Sequence, residues 1–316
     1  MAQVNYKRLN RYPRIGLALS GGGARGIAHI GVIKALEREH IPIDILVGTS
    51  MGGVVAAGYA AGLSPDELER EANKLARLRR LLSIVDPGLP NAGLMRGQRL
   101  HDYFETRLGN RTFADLQRTL SLVSVDLNTG QEVIITEGPI ALAMRATTAV
   151  PGLFAPVEID GMRLVDGGVL NNLPVDVPRK MGADFVIAVD VEPDPNEPLY
   201  NLEEGYRWLP NGLARTVVVI DEATRLMIRV LKEAKLRQYP PDVIIRPSLP
   251  PGINVLVGYN RVSELIAAGE GAAEAIMPEI RRFLQKASPS SVMSEAAHAH
   301  NAQYKIQSEQ STGNLD

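Results

Sequence analysis

The 316-residue chain contains no cysteine, and that absence removes several kinds of chemistry at once. Disulfide scaffolds, zinc–thiolate and iron–sulfur centres and a cysteine nucleophile are all excluded. Histidine is nearly as scarce, with His29, His40, His101, His298 and His300 the whole supply. A histidine-rich metal site is therefore not expected, and nothing in the chain calls for a metal or an organic cofactor. An excess of either charge is also missing: 34 Lys and Arg stand against 36 Asp and Glu. No basic field is available to hold nucleic acid, and the composition is not that of an acidic, solvated chain.

Long hydrophobic runs are absent in a usable form. Residues Met1 to Arg14 are polar and basic, and only Ile15 to Leu19 is apolar before a glycine cluster, too short for a signal peptide. Ile45 to Leu63 is 19 residues without a charge, near the length of a membrane span. Five glycines with Thr49 and Ser50 interrupt it, so it reads as a buried strand, a turn and a buried helix. These features predict a soluble, cytoplasmic protein whose membrane contact is at most peripheral.

What is present is an alternation of strand-length apolar runs with longer stretches of helical period, the pattern of an α/β protein with a mostly parallel sheet. Strands are expected at Ile15–Ser20, Ile45–Gly48, Leu120–Asp126, Glu132–Thr136, Phe185–Val191 and Asp242–Arg246. Helices are expected at Gly26–Glu39, Met51–Ala61, Pro65–Leu82, Gln98–Leu108, Pro139–Thr147, Pro174–Lys180, Ala214–Arg237 and Asn260–Lys286. The organisation that follows is a polar segment over 1–14, one domain over 15–286 and a Ser-, Gln- and Asn-rich tail over 287–316 that is expected to be disordered. Two proline- and glycine-rich connections, Asp86–Gly97 and Val191–Gly212, fit either surface decoration or a lid.

Three short segments carry chemistry. In the first, the run Leu17–Ser20 leads into Gly21, Gly22, Gly23, Ala24, Arg25 and Gly26 and then a helix, so that unobstructed N–H groups gather at a helix N-terminus and form an anion site. The spacing also fits the dinucleotide fingerprint G-x-G-x-x-G. That reading needs an acidic residue at the C-terminal end of the next strand. Asp44 lies at the other end, and no G-K-[ST] follows the glycines, so neither nucleotide motif is complete.

In the second segment, Gly48, Thr49, Ser50, Met51 and Gly52 form G-x-S-x-G between a strand and an apolar helix, the setting of a nucleophile elbow. A plain strand–helix turn with a capping serine is the simpler alternative. A serine nucleophile needs a base, and the histidines are poorly placed to be one. His29 is expected to pack against the sheet and His101 to lie on the surface or in a groove, while His298 and His300 sit in the tail. In the third, Asp166 ends a short apolar strand and is followed by Gly167 and Gly168. A simple Asp-Gly turn would account for it. A carboxylate facing a dry cleft there would also be able to accept a serine proton.

Taken together the three segments resemble the patatin-like phospholipases, bacterial members and the neuropathy-target-esterase group included. The glycine-rich segment Gly21–Gly26, the elbow Gly48–Gly52 and the D-G-G segment Asp166–Gly168 occur in that family's order. Ala149–Pro156 and Asn171–Pro174 resemble its flanking stretches. The resemblance implies a three-layer α/β/α fold, a Ser50–Asp166 dyad without histidine and an oxyanion hole at the glycine loop. It also implies a phospholipid, lysophospholipid or other acyl ester as substrate. Arg25 would either pair with a carboxylate or face an anionic head group. The apolar residues of Leu81–Met95 and Val150–Phe154 suit an acyl groove and a core equally well. Head group, acyl length and oligomeric state are not legible.

Overall fold

A computed structural model of the protein describes residues 13–76, 86, 93–192, 211–250, 252–253 and 257–287, with backbone only at 211–218, 220, 221, 286 and 287. Residues 1–12, the expected continuation of a helix to Leu82, most of the Leu81–Met95 groove segment, most of the 191–212 connection and the tail after 287 lie outside the described residues. Residues Arg14–Ala275 form one compact unit, and residues 1–13 and 276–316 group separately.

Among the described residues eight strands form one sheet: β1 (Ile15–Leu19), β2 (Ile45–Thr49), β3 (Thr119–Asp126), β4 (Gln131–Ile135), β5 (Val157–Ile159), β6 (Met162–Asp166), β7 (Phe185–Val189) and β8 (Val243–Ile245). Their order is β5-β6-β3-β2-β1-β7-β8, with β4 also paired to β3. The centre, from β3 through β2, β1 and β7 to β8, is parallel, and β4, β5 and β6 join by antiparallel pairing. β1, β2 and β7 are buried along their whole length. Strands covered on both faces read as unbroken apolar runs, and IGLAL, ILVGT and FVIAV do so.

The helices are α1 (Ala28–Arg38), α2 (Met51–Ala60), α3 (Pro65–Leu75), α4 (Gln98–Leu108), α5 (Ile140–Thr147), α6 (Gly168–Asn171), α7 (Asp176–Lys180), α8 (Asn211–Gln238) and α9 (Val262–Ala287). Ile45, Val47, Val123 and Val186 pack with Val177 of α7 on one face of the sheet. On the other, a Cβ on Gly53 of α2 would lie 3.2 Å from the Leu122 side chain. Strand neighbours point to opposite faces, so α2 and α7 cover opposite sides and the architecture is three-layer α/β/α. The capping box of Ser64 and Glu67, with Pro65 in the first turn, starts α3 as the sequence predicts. The strand expectations hold to within a residue or two. The expected list lacks β5, although the strand before Asp166 is anticipated. The helix expected from Gly26 begins earlier, as a 3-10 turn over Gly23–Ile27.

Candidate active site

The register of β3 brings the second and third segments together. β2 pairs with the first part of β3, ending at Thr49 opposite Val123. β4 occupies the opposite edge of β3, so β6, which pairs with Ser124–Asp126, follows β2 along the same edge. β6 runs the other way and ends at Asp166, opposite Ser124. The two strands therefore meet almost end to end, and the residues beyond Thr49 and at the end of β6 are neighbours. They are Ser50 and Asp166.

Ser50 has φ 52° and ψ −125°, a conformation that non-glycine residues rarely adopt. It persists because the chain must turn from β2 directly into α2 with no spare residue. A Cβ on Gly48 would come within 2.5 Å of the Gly52 and Gly53 backbone, and one on Gly52 within 2.5 Å of the Leu19 and Ser20 carbonyl oxygens. Both elbow glycines are required by backbone approach. The Ser50 N–H donates to Thr147 Oγ1 (3.0 Å), whose hydroxyl donates to the Val123 carbonyl. Thr147, at the end of α5 and fully buried, thus pins the elbow to β3. Thr49 is buried and donates to the Asn171 carbonyl (2.8 Å).

The Ser50 hydroxyl lies beside the Asp166 carboxyl and works to lower its proton affinity. Asp166 is only 5% exposed. Burial pushes its carboxyl up to about 6, against the opposing pull of the Ser50 hydroxyl and of the Gly168 N–H. That N–H lies 2.8 Å from Oδ1, and the Asp166 N–H is held by the Ala149 carbonyl at 3.0 Å. A carboxylate beside a serine hydroxyl, with a proton affinity raised toward neutrality, is able to accept that proton.

The glycine loop lies against the elbow. A Cβ on Gly21 would be 3.2 Å from the Ser50 Cβ, and one on Gly26 would meet the Met51 side chain. Gly22 precedes the 3-10 turn, and the first bond of its ladder runs from the Arg25 N–H to the Gly22 carbonyl (3.2 Å). The N–H groups of Gly22, Gly23 and Ala24 therefore precede that ladder, at the start of a turn that continues into α1. Gly23 and Ala24 are buried and Arg25 is half-buried. Gly167 and Gly168 lead from Asp166 into α6, and a Cβ on Gly167 would strike the Val123 carbonyl.

The histidines stay apart from this arrangement. His29 is fully buried on α1, with Nε2 2.8 Å from the Ser20 carbonyl, and burial lowers it to about 4. A carbonyl only accepts, so Nε2 carries the proton and the ring is neutral. His101 lines a cleft of about 210 Å³ with Arg96, Gln98 and Arg145. With Asp102 and Glu105 it forms a group able to offer ligands to a metal, but none of the three is a partner of Ser50 or Asp166. Asp44 sits at the start of β2 and accepts from the Ile15 N–H, at the end of the sheet away from the glycine loop. The dinucleotide reading fails there.

Three contributors escaped the sequence reading: Thr147, Ser124 and Asn172. Ser124 is buried directly across from Asp166, and its hydroxyl has no hydrogen-bond partner. Asn172 accepts the Gly21 N–H at its carbonyl (3.0 Å). Asn172 lies in a stretch singled out for its family likeness; Thr147 and Ser124 sit in ordinary helix and strand patterns with no local signal.

A serine elbow, an acidic strand end and a glycine loop thus come together on a three-layer α/β/α scaffold. The patatin-like phospholipase family model covers residues 17–179, just over half of the chain, and the chain belongs to that family. An uncharacterized NTE family protein of Mycobacterium tuberculosis is 37% identical over 211 residues, 66% of this chain and 58% of that one. Patatin-like phospholipase domain-containing protein 6 of Mus musculus is 34% identical over 183 residues, 56% of this chain and 13% of that one. The solved structure of VipD from Legionella pneumophila aligns over 85% of this chain and 67% of its own, with a TM-score of 0.48 and 14% identity. The chain thus spans little more than half the length of its mycobacterial relative.

Proposed function

We propose that the protein is a serine acyl hydrolase of lipid esters, of the phospholipase A or lysophospholipase type. In this reading Ser50 Oγ attacks the ester carbonyl carbon while Asp166 takes the hydroxyl proton. The tetrahedral oxyanion is held by the N–H groups of Gly22, Gly23 and Ala24. Collapse expels the alcohol, which receives the proton from Asp166, and leaves Ser50 acylated. Water then attacks the acyl-enzyme as Asp166 takes its proton, and collapse breaks the Ser50 Oγ–acyl bond, releasing the fatty acid while Asp166 returns the proton to Ser50 Oγ. No metal or cofactor takes part.

One observation carries the reading: Ser50 and a buried carboxyl lifted to about 6 meet at the facing ends of β2 and β6. A capping serine beside an ordinary Asp-Gly turn has no need of either the buried carboxyl or the strained elbow. Contact with a lipid surface is supported by the outward face of α8, where Val219, Leu226, Met227 and Val230 are each more than half exposed. α8 also packs on α6, the turn that follows Asp166. Among the described residues no helix is long and apolar enough to cross a membrane.

A fluorophosphonate probe tests the nucleophile. Labelling at Ser50, lost in Ser50→Ala, is expected alongside turnover of a short-chain p-nitrophenyl ester. Labelling elsewhere, or turnover that survives Ser50→Ala, refutes the assignment. A phospholipid and lysophospholipid panel read by mass spectrometry then separates the substrate types.

A further inference from the structure

Lys232 is a buried lysine that the chemistry above does not use. It lies on α8 and is 7% exposed. Its amine reaches Asp190 Oδ2 at 2.9 Å and Glu192 Oε2 at 2.8 Å, just beyond the end of β7. Burial works against the charged amine, but the two carboxylates outweigh it and hold Lys232 above its ordinary value. An ion pair this deep has no clear advantage for stability over an apolar packing, so its position bears on what it holds.

The contacts lead from the amine to the glycine loop. The other carboxylate oxygen of Glu192 accepts from Asn172 Nδ2 at 2.8 Å. The Asn172 carbonyl accepts the Gly21 N–H at 3.0 Å. The Asn172 Oδ1 atom is wedged between two glycines: a Cβ would come within 2.4 Å of it on Gly21 and 3.0 Å on Gly168. The segment held by Lys232 touches the loop a second time, where the Val191 N–H donates to Ser20 Oγ (3.0 Å) and the Val191 side chain packs over Gly22. Residues 20–22 are thus fixed from one side by Asn172 and from the other by Val191, and both lead back to one amine.

We infer that Lys232 is a positioning residue for the reaction: through Glu192 and Asn172 it fixes the glycine loop at the distance from Ser50 that oxyanion binding requires. The inference rests on the acyl-hydrolase reading. Lys232 touches no reacting atom. Removing it takes the shared cation from Glu192 and leaves Asp190 with the longer contact to Arg246 Nε at 3.5 Å, and repulsion between the two carboxylates draws Asn172 and Val191 away from the loop. An oxyanion hole acts only if its donors are in place before the charge forms, and loss of one donor costs about a hundredfold or more. A loosened loop is expected to cost about tenfold in kcat.

The test compares wild type, Lys232→Met, Lys232→Arg and Glu192→Ala. Turnover of p-nitrophenyl butyrate is expressed per Ser50 titrated with the fluorophosphonate, so that misfolded protein does not count. Lys232→Met and Glu192→Ala are expected to lose about tenfold in kcat with KM within about twofold, and Lys232→Arg to recover most of the loss. Hydrogen exchange followed by mass spectrometry reads the same loop without any substrate. The peptide containing the Gly21 amide is expected to exchange faster in both charge-removing variants. A variant with a lower melting temperature, unchanged kcat per titrated site and unchanged Gly21 exchange overturns the inference and leaves Lys232 a scaffold residue. Should Lys232→Met fail to fold, Glu192→Ala, at a side chain 16% exposed, carries the same comparison. Should wild type neither turn over esters nor label, the acyl-hydrolase reading falls, while Gly21 exchange still decides whether Lys232 positions the loop.

Discussion

Asp166→Asn is expected to stabilise the protein at alkaline pH while removing its turnover. Burial raises the Asp166 carboxyl from 3.8 to about 6 in the folded chain. The folded state therefore binds that proton more tightly than the unfolded state does. The sign follows from linkage: Asp166 is harmless below about 3.8, becomes costly between that pH and about 6, and costs its full amount above. At about 1.4 kcal/mol for each unit of pKa, the full amount is about 3 kcal/mol. Asparagine has nearly the same shape and still offers an oxygen to the Gly168 N–H, 2.8 Å from Oδ1 in the wild type. It carries no charge to bury. The variant should therefore exceed wild type by up to about 3 kcal/mol at pH 8, on the order of 5–10 °C in melting temperature for a unit of this size. The advantage should fade to nearly nothing by pH 4. Urea unfolding of both proteins across pH 4–8 measures it, and taking the difference cancels the other carboxylates. A variant equal to or weaker than wild type at pH 8, or a difference that does not change with pH, would show that the Asp166 environment does not disfavour its charge.

Two further outcomes follow from the same geometry. Because Asp166 accepts a proton only when ionised, kcat/KM for a p-nitrophenyl ester should rise about tenfold per pH unit below about 6 and level off above it; an acid limb near 4 would contradict the buried base. Thr147→Val keeps the shape of the side chain but strands the buried Ser50 N–H and a hydrogen bond of the Val123 carbonyl. It is expected to cost about 2–4 kcal/mol and to lower kcat, whereas Thr147→Ser, which keeps the hydroxyl, should cost about 1; equal stability of the two variants in urea would remove Thr147 from its role at the elbow.

The sequence was most readable where one local constraint decides the structure. Unbroken apolar runs mark β1, β2 and β7 because helices cover both faces of the sheet, and no partner residue need be known to see it. The elbow was readable for a similar reason: a Cβ on Gly48 or Gly52 would strike backbone within 2.5 Å, so both positions require glycine. The short strand β5, three residues long, has only Val157 buried and no period to detect. Thr147 was hidden because a threonine at the end of an apolar helix looks like any other. Its function comes from where Ser50 and Val123 lie, 97 and 24 residues away along the chain.

The pairing of Ser50 with Asp166 was inferred from motif order and family likeness, and its physical cause lies in the sheet. A parallel sheet places its strand ends together on one side, so an aspartate ending another parallel strand would point into the same region as Ser50 but a strand's width or more away. β6 instead runs antiparallel along the edge of β3 that β2 vacates after Thr49, and so delivers Asp166 to the end of β2 itself. Ser124, across from Asp166, and Val123, across from Thr49, are consecutive residues of β3, which sets the serine–carboxyl spacing by the repeat of a single strand. A carboxyl delivered this way is buried by the sheet that carries it, and burial is also what raises its proton affinity. In the proposed reaction, one topological feature would thus supply both the proximity and the basicity that a histidine, free to reach from a loop, would otherwise have to provide. His29 and His101, the histidines among the described residues nearest that role, are accordingly committed elsewhere: one to the Ser20 carbonyl, the other to the cleft beside Arg145.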